Sequence, residues 1–205
     1  MSDTPPNIIV SGFGRCGTTA MMHMLWHGQC EMASEPPDYE DKRTLSGPTF
    51  DNAWLCAQRG KAVKLLYVKP PRMTLDVPAK IIWLDRDPKD QARSQIKLLR
   101  VVSDPQAFQP TLADVGKLAR SIRASTPAAI GTMRRHGEVM RVRFRDLLGD
   151  PEATAQRVQD FLGRDAFPLA KDGAGAILPR PHRCADDLAV EHALSRAFAD
   201  MGTGA

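Results

Sequence analysis

Cysteine is scarce and scattered in this chain. Cys16, Cys30, Cys56 and Cys184 are its four cysteines, and no two form a C-x-x-C pair. A structural zinc site is therefore not expected, and the thiols read as free groups of a reducing compartment. Aromatic residues are also few, at 6%, and no basic run interleaves with them. The stacking platform of a single-strand nucleic-acid binder is missing. The net charge of +4 suits an anionic ligand but is too small to imply nucleic acid. No window approaches the roughly 20 apolar residues of a membrane span. The opening residues, MSDTPPN, have neither the basic region nor the apolar core of a signal peptide. Together these absences point to a cytoplasmic protein with no membrane span and no nucleic-acid partner. Repeats and long low-complexity segments are lacking too. What is present is ordinary: 205 residues, 42% hydrophobic and 25% charged. That is most simply one domain over residues 1–205, long enough to bury a full core.

One more absence is local. Residues 8–25 read IIVSGFGRCGTTAMMHML. Ile8, Ile9 and Val10 form a short apolar run expected to be a buried strand. Gly12, Gly14 and Gly17 make a loop. Thr18 and Thr19 open a helix through Met21, Met22 and Leu25, ending near His27. Strand, glycine loop and helix present backbone N–H groups and a helix N-terminus to a phosphate. The pattern G-x-x-x-x-G-K-[ST] is nearly met, but its lysine is missing, and a cation stands earlier, at Arg15. A kinase or ATPase without that lysine handles its β- and γ-phosphates poorly. A loop for another phosphate-bearing donor keeps the cradle and moves the cation. A tight turn with no ligand is the alternative.

His23 and His27 share a helix face, but no third ligand is tied to them by spacing, so no metal is expected. The methionines at 21, 22 and 24 read as core. Residues 35–41, EPPDYED, form an acidic, proline-interrupted loop, either a solvated surface loop or the carrier of a general base. A helix is expected at about 50–59 and a second strand at 62–69, ending in Lys69-Pro70-Pro71-Arg72. A third strand, 79–85, carries the run Ile81-Ile82-Trp83-Leu84 that marks burial on both faces. Arg86 ends it, at the sheet edge where open α/β folds bind ligands; a salt bridge to a nearby Asp is its plainer use. Asp87 and Pro88 are an N-cap and first helical position, opening a helix to about 102 with Ala92, Ile96 and Leu99 inward and Ser94 on another face. Residues 111–136 read as one helix or two, with Pro127 breaking or kinking it and Arg120, Arg123, Arg134 and Arg135 solvated. Residues 138–144 alternate as a fourth strand, with Met140, Val142 and Phe144 to one side. Asp150 and Pro151 then start a helix whose stripe is Ala155, Val158 and Leu162. A last helix is expected over 186–201. Strands alternating with helices argue for a parallel α/β sheet.

Three of these stretches, taken in order, resemble the sulfotransferases that use 3′-phosphoadenosine 5′-phosphosulfate (PAPS). GFGRCGTTAMMHML is similar to the family's 5′-phosphosulfate loop. KIIWLDRDPKDQARSQIKLL is similar to its 3′-phosphate motif, in which an Arg ends a strand and a Ser lies eight residues on, as Arg86 and Ser94 do here. VMRVRFRDLLGDPEATAQRVQDFLG resembles the strand and helix that follow. The resemblance implies a three-layer sandwich with a mostly parallel central sheet, of the P-loop NTPase-like type. It implies transfer of a sulfuryl group from PAPS to a hydroxyl or amine of a small-molecule or carbohydrate acceptor, without a metal. Gly14, Arg15, Cys16, Gly17, Thr18 and Thr19 would hold the 5′-phosphosulfate, and Arg86 and Ser94 the 3′-phosphate. Arg15 and Lys69 would stabilise the transferring group.

Departures from the family are informative. Many cytosolic members place a catalytic His two residues after that Lys, where this chain has Pro71. Some bacterial members use a glutamate in the loop after the first helix, and Glu35 is similar in placement; Asp38, Asp41 and His182 are reserves. Cys16 replaces a common Ser, leaving a backbone role. Ala20 stands where cytosolic members often have Trp. The C-terminal Lys-Gly signature is not clear, and Lys171, Arg180 or Arg183 would substitute. A P-loop kinase or phosphotransferase, and a non-catalytic nucleotide-binding protein on the same fold, stay open as alternatives.

Overall fold

The computed structural model describes residues 4–44, 51–67, 73–102, 111–180 and 183–184. These fall into two compact units. The first comprises residues up to Arg86 and Thr126–His182; the second comprises Asp87–Ser125 and the chain from Arg183.

The first unit is built on four parallel strands: β1 (Ile8–Gly12), β2 (Ala62–Leu66), β3 (Ala79–Asp85) and β4 (Gly137–Arg143). Their order is β2-β1-β3-β4, so the first strand lies between two neighbours. In register, Val10 stands beside Lys64 on β2 and Ile82 on β3. Every residue of β1 is buried, as a strand covered on both faces must be. Ile8, Val10, Ile82, Leu84 and Val142 pack on one face. They meet α1 (Thr18–His27), α6 (Pro151–Leu162) and α7 (Ala170–Gly175) through Met21, Met22, Met24, Leu25, Ala155, Val158, Ala170 and Ala174. Ile9, Val63, Leu65, Ile81 and Trp83 pack on the other, with Leu55 of α2 (Asn52–Ala57) and Ala129, Ile130 and Met133. Helices on both faces of a parallel sheet give the expected three-layer sandwich. The fully buried methionines of α1 contribute about 1.5–3 kcal/mol each by burial.

Local chemistry places the helix starts. Asp51 accepts a hydrogen bond from the Trp54 N–H at 2.9 Å, and Asp150 one from the Ala153 N–H at 3.0 Å ahead of Pro151. The second unit holds α3 (Pro88–Val102). Asp87 caps it, accepting from the N–H groups of Lys89 and Asp90 at 2.9 and 3.1 Å. Ala92 and Ile96 are buried as their spacing requires.

Of the two readings of 111–136, one helix holds: α4 runs over Leu112–Arg134 with Pro127 inside it. Pro127 and Arg123, whose carbonyl loses its intrahelical partner there, are both exposed, so the freed carbonyl is not buried. Pro127→Ala is expected to raise stability by about 1–3 kcal/mol, read as a higher melting temperature. The fourth strand, expected over 138–144, runs over Gly137–Arg143, and Phe144 opens a short helix, α5 (Phe144–Gly149). Lys69, Pro71, His182 and the helix expected over 186–201 lie outside the described residues.

Candidate active site

The loop 13–17 leaves β1 at the C-terminal edge of the parallel sheet, between β2 and β3, the edge where open α/β sheets bind their ligands. Two of its residues take left-handed backbone angles: Arg15 at φ 68° and Gly17, the N-cap of α1, at φ 108°. Gly17 brings no side chain to cap α1, and no acidic residue stands in the first turn. The start of this helix thus carries its positive dipole end with no carboxylate in its own first turn.

Arg86 closes the loop from the next strand. Its Nη1 donates to the Arg15 carbonyl oxygen at 3.1 Å. Its guanidinium lies over the Phe144 ring, 4.7 Å from the centroid. Arg180 approaches the same ring at 5.7 Å. Gly17 also rests on Phe144, since a Cβ there would stand 2.4 Å from the ring. Phe144 is therefore the floor of the loop. The β4 alternation places it inward but gives no sign that it meets Gly17. The carboxylate that ends β3 is taken by another residue: Asp85 pairs with Arg141 at 2.6 Å and accepts from the Trp83 indole N–H at 3.0 Å.

Cys16 turns its thiol into the core, fully buried. Burial pushes it up to about 12, so it stays a neutral thiol. Thr18 is buried as well, while Thr19, one residue on, accepts a hydrogen bond from Lys64 Nζ at 2.9 Å. Lys64 escapes sequence reasoning, although a lysine inside the apolar strand Ala62–Leu66 was a usable signal.

The acidic loop packs beside α1. Tyr39, at φ 58°, is fully buried, and its hydroxyl lies 2.9 Å from His23 Nδ1. Burial pushes Tyr39 up to about 12, and burial and then the neighbouring His27 lower His23. The Tyr39 N–H donates to the Glu35 carbonyl at 3.2 Å, leaving the Glu35 side chain exposed. Asp38 accepts from the Glu40 N–H at 3.1 Å. Asp41 is held by Arg43 at 2.7 Å, which lowers its carboxyl below the usual range. Ser94 lies on α3 in the second unit, buried. Among the described residues no group of three or more His, Cys, Asp or Glu gathers to hold a metal ion.

Residues 5–171 match the family model of the sulfotransferase domain. The chain belongs to the sulfotransferase family. The protein is accordingly an enzyme of sulfuryl transfer. Among solved structures it is similar to mouse sulfotransferase SULT7A1 complexed with PAP, at 18% identity and a TM-score of 0.54, covering 97% of this chain and 67% of that one. It is also similar to retinol dehydratase in a complex with retinol and PAP, at 16% identity and a TM-score of 0.55, covering 100% of this chain and 83% of that one. At those identities the likeness speaks for the fold of this sulfotransferase alone. No curated protein sequence matches it. No helix among the described residues is long and apolar enough to cross a membrane.

Proposed function

We propose that this sulfotransferase moves a sulfuryl group from PAPS to a hydroxyl or amine of a small-molecule or carbohydrate acceptor by in-line displacement. One observation carries the reading: the loop 13–17, which includes Arg15, leads into the acid-free first turn of α1, and Arg86 is held against that loop through the Arg15 carbonyl. The donor set fits a polyanion. It offers cations, hydroxyls and backbone N–H groups, and the one carboxylate at the strand end, Asp85, is neutralised by Arg141. PAP, named with both solved relatives, is the desulfated product of that donor.

The roles follow from position. Arg15, Gly14, Cys16 and Gly17 through the loop backbone, with Thr18 and Thr19, hold the 5′-phosphosulfate. Transfer breaks the bond between sulfur and the 5′-phosphate oxygen and forms one to the acceptor oxygen or nitrogen. Negative charge grows on the leaving phosphate, where Arg15 and the helix dipole stabilise it. Arg86 takes the 3′-phosphate; the part of Ser94 rests on its sequence spacing, and that of Lys69 on its place after β2. The acceptor proton goes to Glu35, whose carboxylate is exposed and has, among the described residues, no salt-bridging cation of the kind that occupies Asp41. The kinase reading loses support from the missing Walker lysine.

Calorimetric titration with PAP, AMP, and ATP with and without Mg²⁺ tests the donor. PAP is expected to bind about 10–100-fold tighter than AMP, the worth of charge-assisted bonds to one extra phosphate. Preference for Mg²⁺-ATP overturns the reading. Glu35→Gln is expected to lower kcat by about 100-fold or more, the usual contribution of a general base, with PAP affinity unchanged. Full activity in that variant removes Glu35 from the mechanism.

A further inference from the structure

Lys64 stands in the middle of β2 among Ala62, Val63, Leu65 and Leu66, and its side chain is only 3% exposed. A buried ammonium is tolerated only when paired and hydrogen-bonded. This one is: Nζ donates to Thr19 Oγ1 at 2.9 Å, to the Asp38 carbonyl at 2.7 Å and to Glu40 Oε1 at 2.7 Å. An ammonium has three N–H bonds, so all three are engaged by the protein. The three partners come from two places that matter for the reaction. Thr19 is the second residue of α1, at the mouth of the loop. Asp38 and Glu40 belong to the acidic loop that carries Glu35.

We infer that Lys64 is a positioning residue for sulfuryl transfer, resting on the PAPS reading above. It fixes the Thr19 hydroxyl as a hydrogen-bond donor toward the 5′-phosphosulfate, and it ties the 35–41 loop to the start of α1. A threonine hydroxyl has one O–H and two acceptor lone pairs. With the ammonium donating into the oxygen, the O–H turns away from Lys64, and its usual competing partner is a carbonyl in the preceding turn. A bound oxyanion takes that proton in preference, because a charged acceptor makes the stronger bond. Lys64 itself reaches no substrate, since its donors are spent. This separates it from Lys69, which is assigned to the transferring group. The loop has a second tether, Tyr39–His23, between those two contacts, so Lys64 and His23 together hold its Asp38–Glu40 end. Glu35 precedes that end by a single turn.

A double-mutant cycle on PAP affinity tests this, with Lys64→Met and Thr19→Val measured by calorimetry. Each single variant is expected to weaken PAP by about tenfold or more, the worth of one charge-assisted bond. The double variant is expected to be no weaker than the worse single one, because both changes remove the same bond to the donor. Thr19→Ser keeps the hydroxyl and is expected to recover most of the affinity that Thr19→Val loses. Additive losses, or unchanged affinity in a folded Lys64→Met, overturn the inference. Lys64→Met leaves Glu40 without its cation, so Lys64→Met with Glu40→Gln is the control for folding. Recovery of melting temperature without recovery of PAP affinity supports the positioning role; joint recovery reduces Lys64 to structural support and overturns it. Wild-type protein titrated first separates the two levels: if it fails to bind PAP, the donor reading falls before any variant is compared.

Discussion

Gly17→Ala is expected to lower the melting temperature by about 6–12 °C and to abolish measurable PAP binding. Two effects add at this residue. The backbone sits at φ 108°, where a side chain is strained by about 1–3 kcal/mol. The new Cβ would stand 2.4 Å from Phe144 Cδ2 and 2.9 Å from Cε2, and overpacking of that kind costs about 1–3 kcal/mol. A loss of about 3 kcal/mol shifts a chain of this size by about 2–4 °C per kcal/mol. Thermal melting of Gly17→Ala, alone and combined with Phe144→Ala, separates the parts. Truncating the ring opens the space but leaves the backbone strain, so, measured against Phe144→Ala alone, Gly17→Ala is expected to shift the melting temperature by about half as much. An unshifted melting temperature in the single variant would mean that the loop does not rest on Phe144. Affinity falls further than stability because either way of relieving the clash, tilting the ring or lifting the loop, moves Arg86, which is stacked on the same ring.

The second large effect belongs to Arg86. Arg86→Ala is expected to weaken PAP by on the order of 100-fold, the worth of two charge-assisted bonds, while AMP affinity falls by much less. The comparison matters because Arg86 touches the loop as well as its assigned ligand. It holds the Arg15 carbonyl, so some loss through a loosened loop is shared by both nucleotides. Only the 3′-phosphate distinguishes them. If PAP and AMP weaken equally on calorimetry, Arg86 is a brace for the loop and the 3′-phosphate site is elsewhere. If the preference for PAP disappears, the assignment stands.

What could be read from the sequence was what is encoded locally. Asp87-Pro88 and Asp150-Pro151 announce their helices because a cap and a fixed φ act within one turn. The strands β1 and β3 declare themselves by continuous apolar runs, and Arg86 by standing where such a run stops. The loop 12–19 is legible because its glycines and hydroxyls are consecutive. What the sequence hides are meetings between distant residues. Lys64 reaches Thr19 across 45 positions, and nothing near either one specifies the other. Phe144 reads as one more inward residue of β4, yet it supports Gly17 and Arg86. Pro127 leaves one helix or two open because its cost depends on whether the freed carbonyl meets water, which is a fact of the surface rather than of the local sequence. The acidic loop was readable as acidic, but its attachment through Tyr39 to His23 depends on α1 lying alongside it.

The floor under the loop also orders the events of synthesis. A chain emerges from its N-terminus, so β1 and the loop 13–17 are made first. Yet β1 lies between β2 and β3, and it stays unflanked on one side until residue 85 has been made. Phe144 comes later still, and Arg180 later again. The earliest-made part of the proposed nucleotide cradle is therefore among the last to gain its supports. A nascent chain of this protein has its glycine loop long before it has anything for the loop to rest on, since the ring beneath Gly17 belongs to Phe144.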